Sequence, residues 1–261
     1  MTPERADDLG LAGMNPTGRF SDRAADYVRY RPDYPAAAIT CVLEGLGDPA
    51  AIRAADVGAG TGISARQLAA RGVRVTAIEP NREMREAAAS DPRVTWREGT
   101  GEATGLDPGS LDLVLCAQAF HWFRQPQAVV EFHRVLRPGG RMALMWNTRS
   151  RTDPFSLGYI QAIRDVNGEH PAEMRTFEPD VVSAGGRFTP PTVARFEHQQ
   201  SLDRDGLVGR AASASYVPKE GARFDDLVHR LDALHAKFRD GAGQVALRYV
   251  TEVWRAERLP G

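Results

Sequence analysis

The chain has 261 residues, of which 42% are hydrophobic and 26% charged, and its formal net charge is −1 at pH 7. This length and apolar content suit one α/β domain with an appended lobe, whereas a nucleic-acid-binding protein would need a clustered basic excess. No apolar run is long enough to span a membrane, and the polar N-terminus is unlike a signal peptide. Cys41 and Cys116 lie far apart in apolar patterns, so we expect reduced core cysteines and a cytoplasmic protein.

Helical and strand patterns alternate along the first 150 residues. A helix is predicted over 22–30 and another over 35–45, where apolar residues recur at helical spacing. Short apolar runs then predict strands at 53–57, 73–78, 94–97, 111–116 and 141–146. The intervening patterns predict helices at 63–71, 81–89 and 126–136. Such repeats predict a doubly wound, mostly parallel sheet whose ligands bind beyond the carboxyl ends of its strands.

The pattern changes after residue 150. Helices are predicted at 154–176, 203–212 and 222–238, and alternating strands at 192–200 and 245–254. We therefore predict an α/β fold with a Rossmann-like sheet of seven strands, the last antiparallel, and a helical cap. The predicted divisions are an N-terminal lid segment over 1–35, a cofactor-binding core over 36–150, and cap insertions with two closing strands over 151–261.

A glycine-rich turn, D-V-G-A-G-T-G, follows the first predicted strand. Its glycines permit a sharp bend and close approach of a ligand, and the next helix starts with unpaired N–H groups. Ile63 occupies the third glycine position of a dinucleotide fingerprint, and no G-K-[ST] follows, which excludes a phosphate-binding P-loop. Asp56 suits a cofactor with positive charge and hydroxyl groups. The candidate cofactor residues here are Asp56, Gly58, Ala59, Gly60, Thr61 and Gly62.

Further candidates follow the next three strands. Glu79 ends the second strand, about 20 residues after the turn, where an acid accepts hydrogen bonds from ribose hydroxyls. The loop after the third strand is placed to hold adenine through its backbone, and its candidates are Thr100, Gly101 and Glu102. Three of the features also have structural interpretations. The glycine motif could be a plain tight turn, and Glu79 a solvated acid at a helix N-terminus. In the run A-Q-A-F-H-W-F over 117–123, Trp122 and Phe123 could simply start a buried helix.

The turn resembles motif I of class I S-adenosylmethionine (SAM) dependent methyltransferases. The run A-Q-A-F-H-W-F, with the later E-x-x-R-V-L-R-P-G-G, resembles the type 11 methyltransferases, including the trans-aconitate methyltransferase group. The resemblance implies SAM as cofactor, with Ala117, Gln118 and Phe120 at its methionine end. The segment over 20–35 resembles the N-terminal cap of these enzymes, which implies that Tyr27 and Arg31 face the cofactor. The loop G-T-G-E departs from the usual G-[DN]-A-E.

The acceptor side is less well marked. The candidate substrate residues are Tyr30, His121, Trp122, Trp146, Asn147 and Tyr216. His121 is a candidate general base because imidazole titrates near the working pH, although an activated donor needs mainly alignment and exclusion of water. Arg149 and Arg151 fall on this side too, either to pair with an anionic acceptor or simply as solvated surface residues.

We therefore predict methyl transfer to a small molecule, with O-methylation of a carboxylate or hydroxyl favoured and N- or C-methylation open. The alternatives are a SAM-binding protein of the same fold with a cyclase-type or regulatory role, and a nicotinamide oxidoreductase, which Ile63 disfavours. The scattered histidines lack metal-ligand spacing, so no metal is predicted. We expect no nucleic-acid or membrane partner, and a monomer or homodimer.

Overall fold

The structure is a computed structural model that describes residues 24–168, 177–214 and 216–260. Within these ranges the strands are β1 (Arg53–Val57), β2 (Arg74–Ile78), β3 (Val94–Arg97), β4 (Leu111–Ala117), β5 (Leu136–Arg149), β6 (Thr192–Leu202) and β7 (Val245–Glu257). The helices are α1 (Ala24–Tyr30), α2 (Ala36–Leu43), α3 (Ile63–Ala69), α4 (Arg82–Glu86), α5 (Gln125–Val135), α6 (Pro154–Asn167), α7 (Asp180–Ser183), α8 (Arg204–Ala212) and α9 (Ala222–Phe238). Residues 1–23 of the predicted lid segment and residues 169–176 of a predicted helix lie outside the described residues.

The described strands form one sheet in the order β3-β2-β1-β4-β5-β7-β6. Pairing is parallel from β3 through β5, and β7 runs antiparallel to both β5 and β6. This arrangement confirms the predicted fold class. The strand order reverses between β1 and β4, which are neighbours in the sheet although β2 and β3 lie between them in the chain. Ligands of such sheets bind at this reversal, where the predicted cofactor site would lie.

Each face of the sheet is covered by helices, as the apolar patterns require. Strand β4 is buried along its whole length, as a central parallel strand should be. Val42 of α2 and Leu68 of α3 pack on one face, and Phe132 of α5 packs on the other. A third cluster joins α6, α8 and α9 to β7. Cys41 and Cys116 are buried free thiols.

Strand β5 is longer than the prediction of 141–146. It continues to Arg149 because β7 supplies hydrogen-bonding partners over that whole stretch, and Arg149 pairs with Tyr249. Its first residue, Leu136, follows directly on the last residue of α5. The helix predicted over 81–89 is shorter, and the run F-H-W over 120–122 forms a single 3₁₀ turn. No helix among the described residues is long and apolar enough to cross a membrane.

Candidate cofactor and acceptor site

The glycine turn joins the end of β1 to the start of α3. Gly58, Gly60 and Gly62 all have positive φ angles, of 71°, 58° and 77°. A Cβ on Gly58 would lie 2.5 Å from the Cβ of Ala119, and one on Gly62 would lie 2.9 Å from the ring of Trp96. Backbone conformation and packing therefore both require glycine at the two ends of the turn. Gly60 is less crowded, and its nearest neighbours belong to Met84 and Tyr27.

Glu79 ties the end of β2 to this turn. One carboxylate oxygen, Oε2, accepts a hydrogen bond from the Gly60 N–H at 2.8 Å, and the other accepts from the Asn81 N–H at 2.9 Å. The residue is only 8% exposed, and burial raises the pKa of its carboxyl group. The two most informative sequence features, the turn and the acid, are thus in direct contact.

Asp56 lies fully buried beneath the turn. Its Oδ2 accepts a hydrogen bond from the Ser64 hydroxyl at 2.6 Å, whereas Oδ1 has no hydrogen-bond partner among the described residues. Burial raises the pKa of Asp56 to about 7, against the opposing effects of hydrogen bonding by the Ser64 hydroxyl and the Ala65 backbone. The hydroxyl of Thr61 is likewise buried without a partner in the described chain. The turn therefore offers polar oxygens that its own residues leave unsatisfied.

The loop after β3 packs against the loop after β4. Thr100 and Ala103 exchange two backbone hydrogen bonds, of 3.0 and 3.3 Å, and a Cβ on Gly101 would collide with the ring of Phe123. The Glu102 carboxylate accepts from the Arg124 N–H at 2.7 Å, close to the start of α5. Glu102 therefore fastens the two loops together, and backbone groups of the loop are the better candidates for ligand contacts.

Gln118 lies directly after β4 in a strained conformation. Its φ of 58° makes it the one described residue other than glycine with a positive φ. The Gln118 N–H donates to the Met145 carbonyl at 2.8 Å, and its side-chain amide donates to the Asn147 carbonyl at 3.2 Å. These bonds hold the carboxyl ends of β4 and β5 side by side, with Ala117 at the end of β4 itself.

The three aromatic residues of the following turn have different environments. Phe120 is fully buried and packs edge-on against Phe123 and Phe177, so its contacts are those of a core residue. His121 is 8% exposed and accepts a hydrogen bond at Nδ1 from the indole of Trp146, at 3.3 Å. Trp122 is half-buried, with its ring centroid 5.2 Å from that of His121.

Helix α1 lies over the glycine turn. The ring of Tyr27 approaches to 3.8 Å from the position of a Cβ on Gly60, and the Arg31 guanidinium lies 4.6 Å from the centre of that ring. Tyr30 instead packs its ring against Gly209 of α8. Tyr27, the predicted cofactor residue, thus lies at the turn, whereas Tyr30, the predicted substrate residue, lies at α8.

Asn147 is 4% exposed and fully engaged within the protein. Its side chain accepts from the Thr251 hydroxyl at 2.6 Å and donates to the Asp33 carbonyl at 3.1 Å. It thereby connects β5, β7 and the segment after α1. Tyr216 lies near Arg149, which follows Asn147 by two residues and ends β5. The Arg149 guanidinium donates to the Tyr216 hydroxyl at 3.5 Å.

Sequence reasoning missed Arg210, which lies in the same region. It is 4% exposed on α8 and donates to the Tyr249 hydroxyl at 3.2 Å. Only its position on the apolar face of α8, beside Leu207 and Ala211, marks it as unusual. No local spacing connects it with Arg31 or Arg149, because the three come from distant parts of the chain.

Comparisons with known proteins agree with this geometry. Residues 55–144 match the family model described as a methyltransferase domain. An uncharacterized methyltransferase of Mycobacterium tuberculosis is 36% identical over 242 residues, covering 91% of this chain and 94% of the relative. A ubiquinone/menaquinone biosynthesis C-methyltransferase of Rubrivivax gelatinosus is 37% identical over 73% of this chain and 72% of its own. A solved candidate type II methyltransferase from Anaeromyxobacter dehalogenans is similar with a TM-score of 0.62 and 27% identity, covering 89% of this chain and all of the other.

Proposed function

The chain belongs to this methyltransferase family, and we propose that it transfers a methyl group from SAM to a small-molecule acceptor and releases S-adenosylhomocysteine. When bound, SAM supplies a methyl group already activated on a positively charged sulfur. The observation that carries the proposal is the 2.8 Å hydrogen bond between the Gly60 N–H and Glu79. It brings together the backbone turn that would face the cofactor and the acid that would bind its ribose.

The polar groups around the turn fit such a cofactor. Asp56 Oδ1 and the Thr61 hydroxyl are buried without partners in the described chain, and a ligand with ammonium and hydroxyl groups would satisfy acceptors of this kind. The Glu79 carboxylate keeps lone pairs beyond the two amides that it binds, so it can accept from ribose hydroxyls. These groups are hydrogen-bond acceptors, whereas the pyrophosphate of a dinucleotide would require hydrogen-bond donors.

The other residues proposed to bind SAM surround the turn. Backbone groups of Thr100 and Gly101 would hold the adenine, and Ala117 and Gln118 would border the methionine end. Tyr27 would cover the cofactor from the side of α1, since its ring already lies against Gly60. In this proposal the segment 1–35 is the lid, 36–150 the donor-binding core and 151–261 the acceptor cap. We also propose that the chain is a member of the trans-aconitate methyltransferase group, because of its A-Q-A-F-H-W-F motif.

O-methylation of an acceptor that is already ionised is the favoured reaction. His121 uses Nδ1 to accept from Trp146, which suits a residue that orients the pocket. A carboxylate nucleophile needs no base, so alignment and exclusion of water would be the main contributions of the protein. C-methylation is the second candidate, since a relative that is 37% identical is named a C-methyltransferase.

Isothermal titration calorimetry tests the donor assignment. We expect SAM and S-adenosylhomocysteine to bind and NAD not to bind. Binding of NAD without either of the others would overturn the proposal. Transfer of a labelled methyl group from SAM to a panel of carboxylic acids, alcohols, amines and quinols would then identify the acceptor atom. Cofactor binding with no transfer to any class would favour a SAM-binding protein with a cyclase-type or regulatory role.

A further inference from the structure

Three arginines converge beneath α1, α8 and the end of β5. The Arg31 guanidinium donates to the Ser213 carbonyl at 3.0 Å, and the Arg210 guanidinium donates to the Ser213 hydroxyl at 3.4 Å. Burial and the positive charge of Arg210 lower the pKa of Arg31, with a smaller contribution from Arg149. We call Arg31, Arg149 and Arg210 the arginine cluster.

The cluster lacks a counter-charge within the described chain. No described carboxylate lies within 4.0 Å of any of its guanidinium groups, although many other arginines of the protein are paired. The Nε atoms of Arg31 and Arg149 are buried without a hydrogen-bond partner there. Buried charges are costly unless they are paired, so a cluster of three points to an anion supplied from outside the chain.

Arg141 shows how this protein treats a buried arginine with a structural role. It is 8% exposed, yet its guanidinium donates to Glu257 at 2.7 Å and to the carbonyls of Val42 and Glu44 at 3.0 and 2.6 Å. Both Nε and Nη1 of Arg141 thus donate to acceptors, one of which is a carboxylate. The arginine cluster differs because its neighbours are mainly hydroxyl groups.

Tyrosine side chains complete the surroundings of the cluster. Arg149 lies 5.1 Å from the ring centre of Tyr159 and donates to the Tyr216 hydroxyl, while Arg210 donates to Tyr249. The Tyr159 hydroxyl is fully buried and has no partner in the described chain. The neutral Tyr159 hydroxyl can donate a hydrogen bond without adding an opposing charge, which suits a site for carboxylate or phosphate oxygens.

Tyr27 connects the cluster with the proposed donor site. Its ring lies near Gly60, and the Arg31 guanidinium lies 4.6 Å from the centre of the same ring. Arg149 ends β5, the strand that pairs with β4 and its Gln118 loop. An anionic group held in the cluster would therefore place the rest of its molecule toward the glycine turn.

Resting on the proposed function, we infer that the methyl acceptor is an organic oxyanion, and that the arginine cluster binds its carboxylate or phosphate group. The planar guanidinium of Arg149 offers two N–H groups to such an oxyanion, and Arg31 and Arg210 complete the charge. Neutral and cationic molecules of similar size would leave the charges of the arginine cluster uncompensated and would be rejected on that ground.

Calorimetry with defined probes tests this inference separately from donor binding. The probes are succinate and glycerol 3-phosphate, with succinamide and glycerol as neutral counterparts, each added to the complete chain with and without S-adenosylhomocysteine. The variants are Arg149→Gln, Arg210→Gln and Arg149→Lys, and the control is Arg223→Gln, an exposed arginine on α9. Arg149→Lys keeps the charge but removes the paired N–H geometry.

We expect at least one anionic probe to bind and both neutral probes to fail, with the anion identifying carboxylate or phosphate recognition. Each cluster variant should weaken anion binding by about tenfold or more, while the affinity for S-adenosylhomocysteine stays within about twofold. The control should change neither. Binding of S-adenosylhomocysteine without binding of either anion, or anion binding unaffected by the cluster variants, would overturn the inference alone. Failure of S-adenosylhomocysteine to bind would overturn the proposed function instead.

Discussion

The indole N–H of Trp146 donates to Nδ1 of His121 at 3.3 Å, which links the end of β5 to the turn after β4. A neutral imidazole that accepts at Nδ1 carries its proton on Nε2, so the ring presents a donor there. Both residues are almost fully buried, with 4% and 8% exposure. The pair is therefore suited to fixing the pocket wall, and a general base would have to break this bond.

Replacing His121 by Asn tests that interpretation. The Asn side-chain oxygen occupies about the position of Nδ1 and can still accept from Trp146, so we expect kcat to fall less than about tenfold. His121→Phe removes the acceptor and should raise KM for the methyl acceptor more than it lowers kcat. Steady-state kinetics with labelled SAM would measure both. A loss of about a hundredfold or more in kcat for His121→Asn would indicate a general base.

Removing the Glu79 carboxylate should weaken cofactor binding. We expect Glu79→Ala to lose about tenfold to a hundredfold in affinity for S-adenosylhomocysteine, since charge-assisted hydrogen bonds are lost. Because Glu79 also accepts a hydrogen bond from Gly60, its removal could weaken binding by disturbing the turn alone. A second ligand is needed to separate the two effects. Calorimetry with an analogue lacking the ribose 2′-hydroxyl should show a smaller loss in the variant, and equal losses would exclude a ribose contact. Glu86→Ala, at an exposed position on α4, is the control.

The sequence predicts the fold where local patterns suffice. The bounds of β1 and β3 agree with the prediction to the residue, and α9 matches 222–238 because its apolar face, with Leu227 and Leu231, repeats at helical spacing. The far end of β5 could not be predicted, because it depends on pairing with Tyr249, which lies 100 residues later in the chain. Strand length there is a tertiary property.

The candidate site follows the same division. The contact between Gly60 and Glu79 could be expected, because consecutive parallel strands bring their carboxyl ends together. The strained φ of Gln118 leaves no mark in composition or spacing. The arginine cluster has none either, since Arg31 and Arg210 meet only through the packing of α1 on α8.

Asp56 should make stability depend on pH. Its carboxyl group ionises near 3.8 in the unfolded chain, and burial raises its pKa to about 7 in the folded protein. The folded state therefore binds the proton more tightly, so the contribution of Asp56 is favourable at low pH and is lost as pH rises through about 7. The Asn side chain of Asp56→Asn does not ionise, so this loss of stability with rising pH should disappear, and its amide oxygen can still accept a hydrogen bond from Ser64.

Urea unfolding across this pH range measures the difference between Asp56→Asn and the natural chain. The variant should gain relative stability from about pH 4 to about pH 7, by at most about 4 kcal/mol, with no further gain above that. The exposed Asp107→Asn is the control and should show no such rise. A constant difference between variant and natural chain would mean that folding leaves the pKa of Asp56 unchanged.

The Gln118→Gly variant of the protein should be more stable than the Gln118→Ala variant. Both substitutions remove the side-chain bond to the Asn147 carbonyl, but only glycine relieves the left-handed backbone, by about 1 kcal/mol. Denaturant unfolding compares the two. Gln127, exposed within α5, provides a control of opposite sign, since there glycine should be less stable than alanine by about 1 kcal/mol. If the alanine variant is more stable than the glycine variant at position 118, as expected at position 127, the backbone of Gln118 is not strained.

The arginine cluster should reduce the stability of the ligand-free protein. Arg149 is partly buried without an ion-pair partner in the described chain, so Arg149→Met should raise the free energy of unfolding by on the order of 1 kcal/mol. Arg141→Met is the matched control and should lower it by about 2 kcal/mol, because Arg141 donates to Glu257 and to two carbonyls. Urea unfolding without any anion other than chloride measures both variants. A loss of stability for Arg149→Met as large as that for Arg141→Met would assign Arg149 to the framework of the fold, because a residue kept at a cost in stability for its ligand should not stabilise the ligand-free protein.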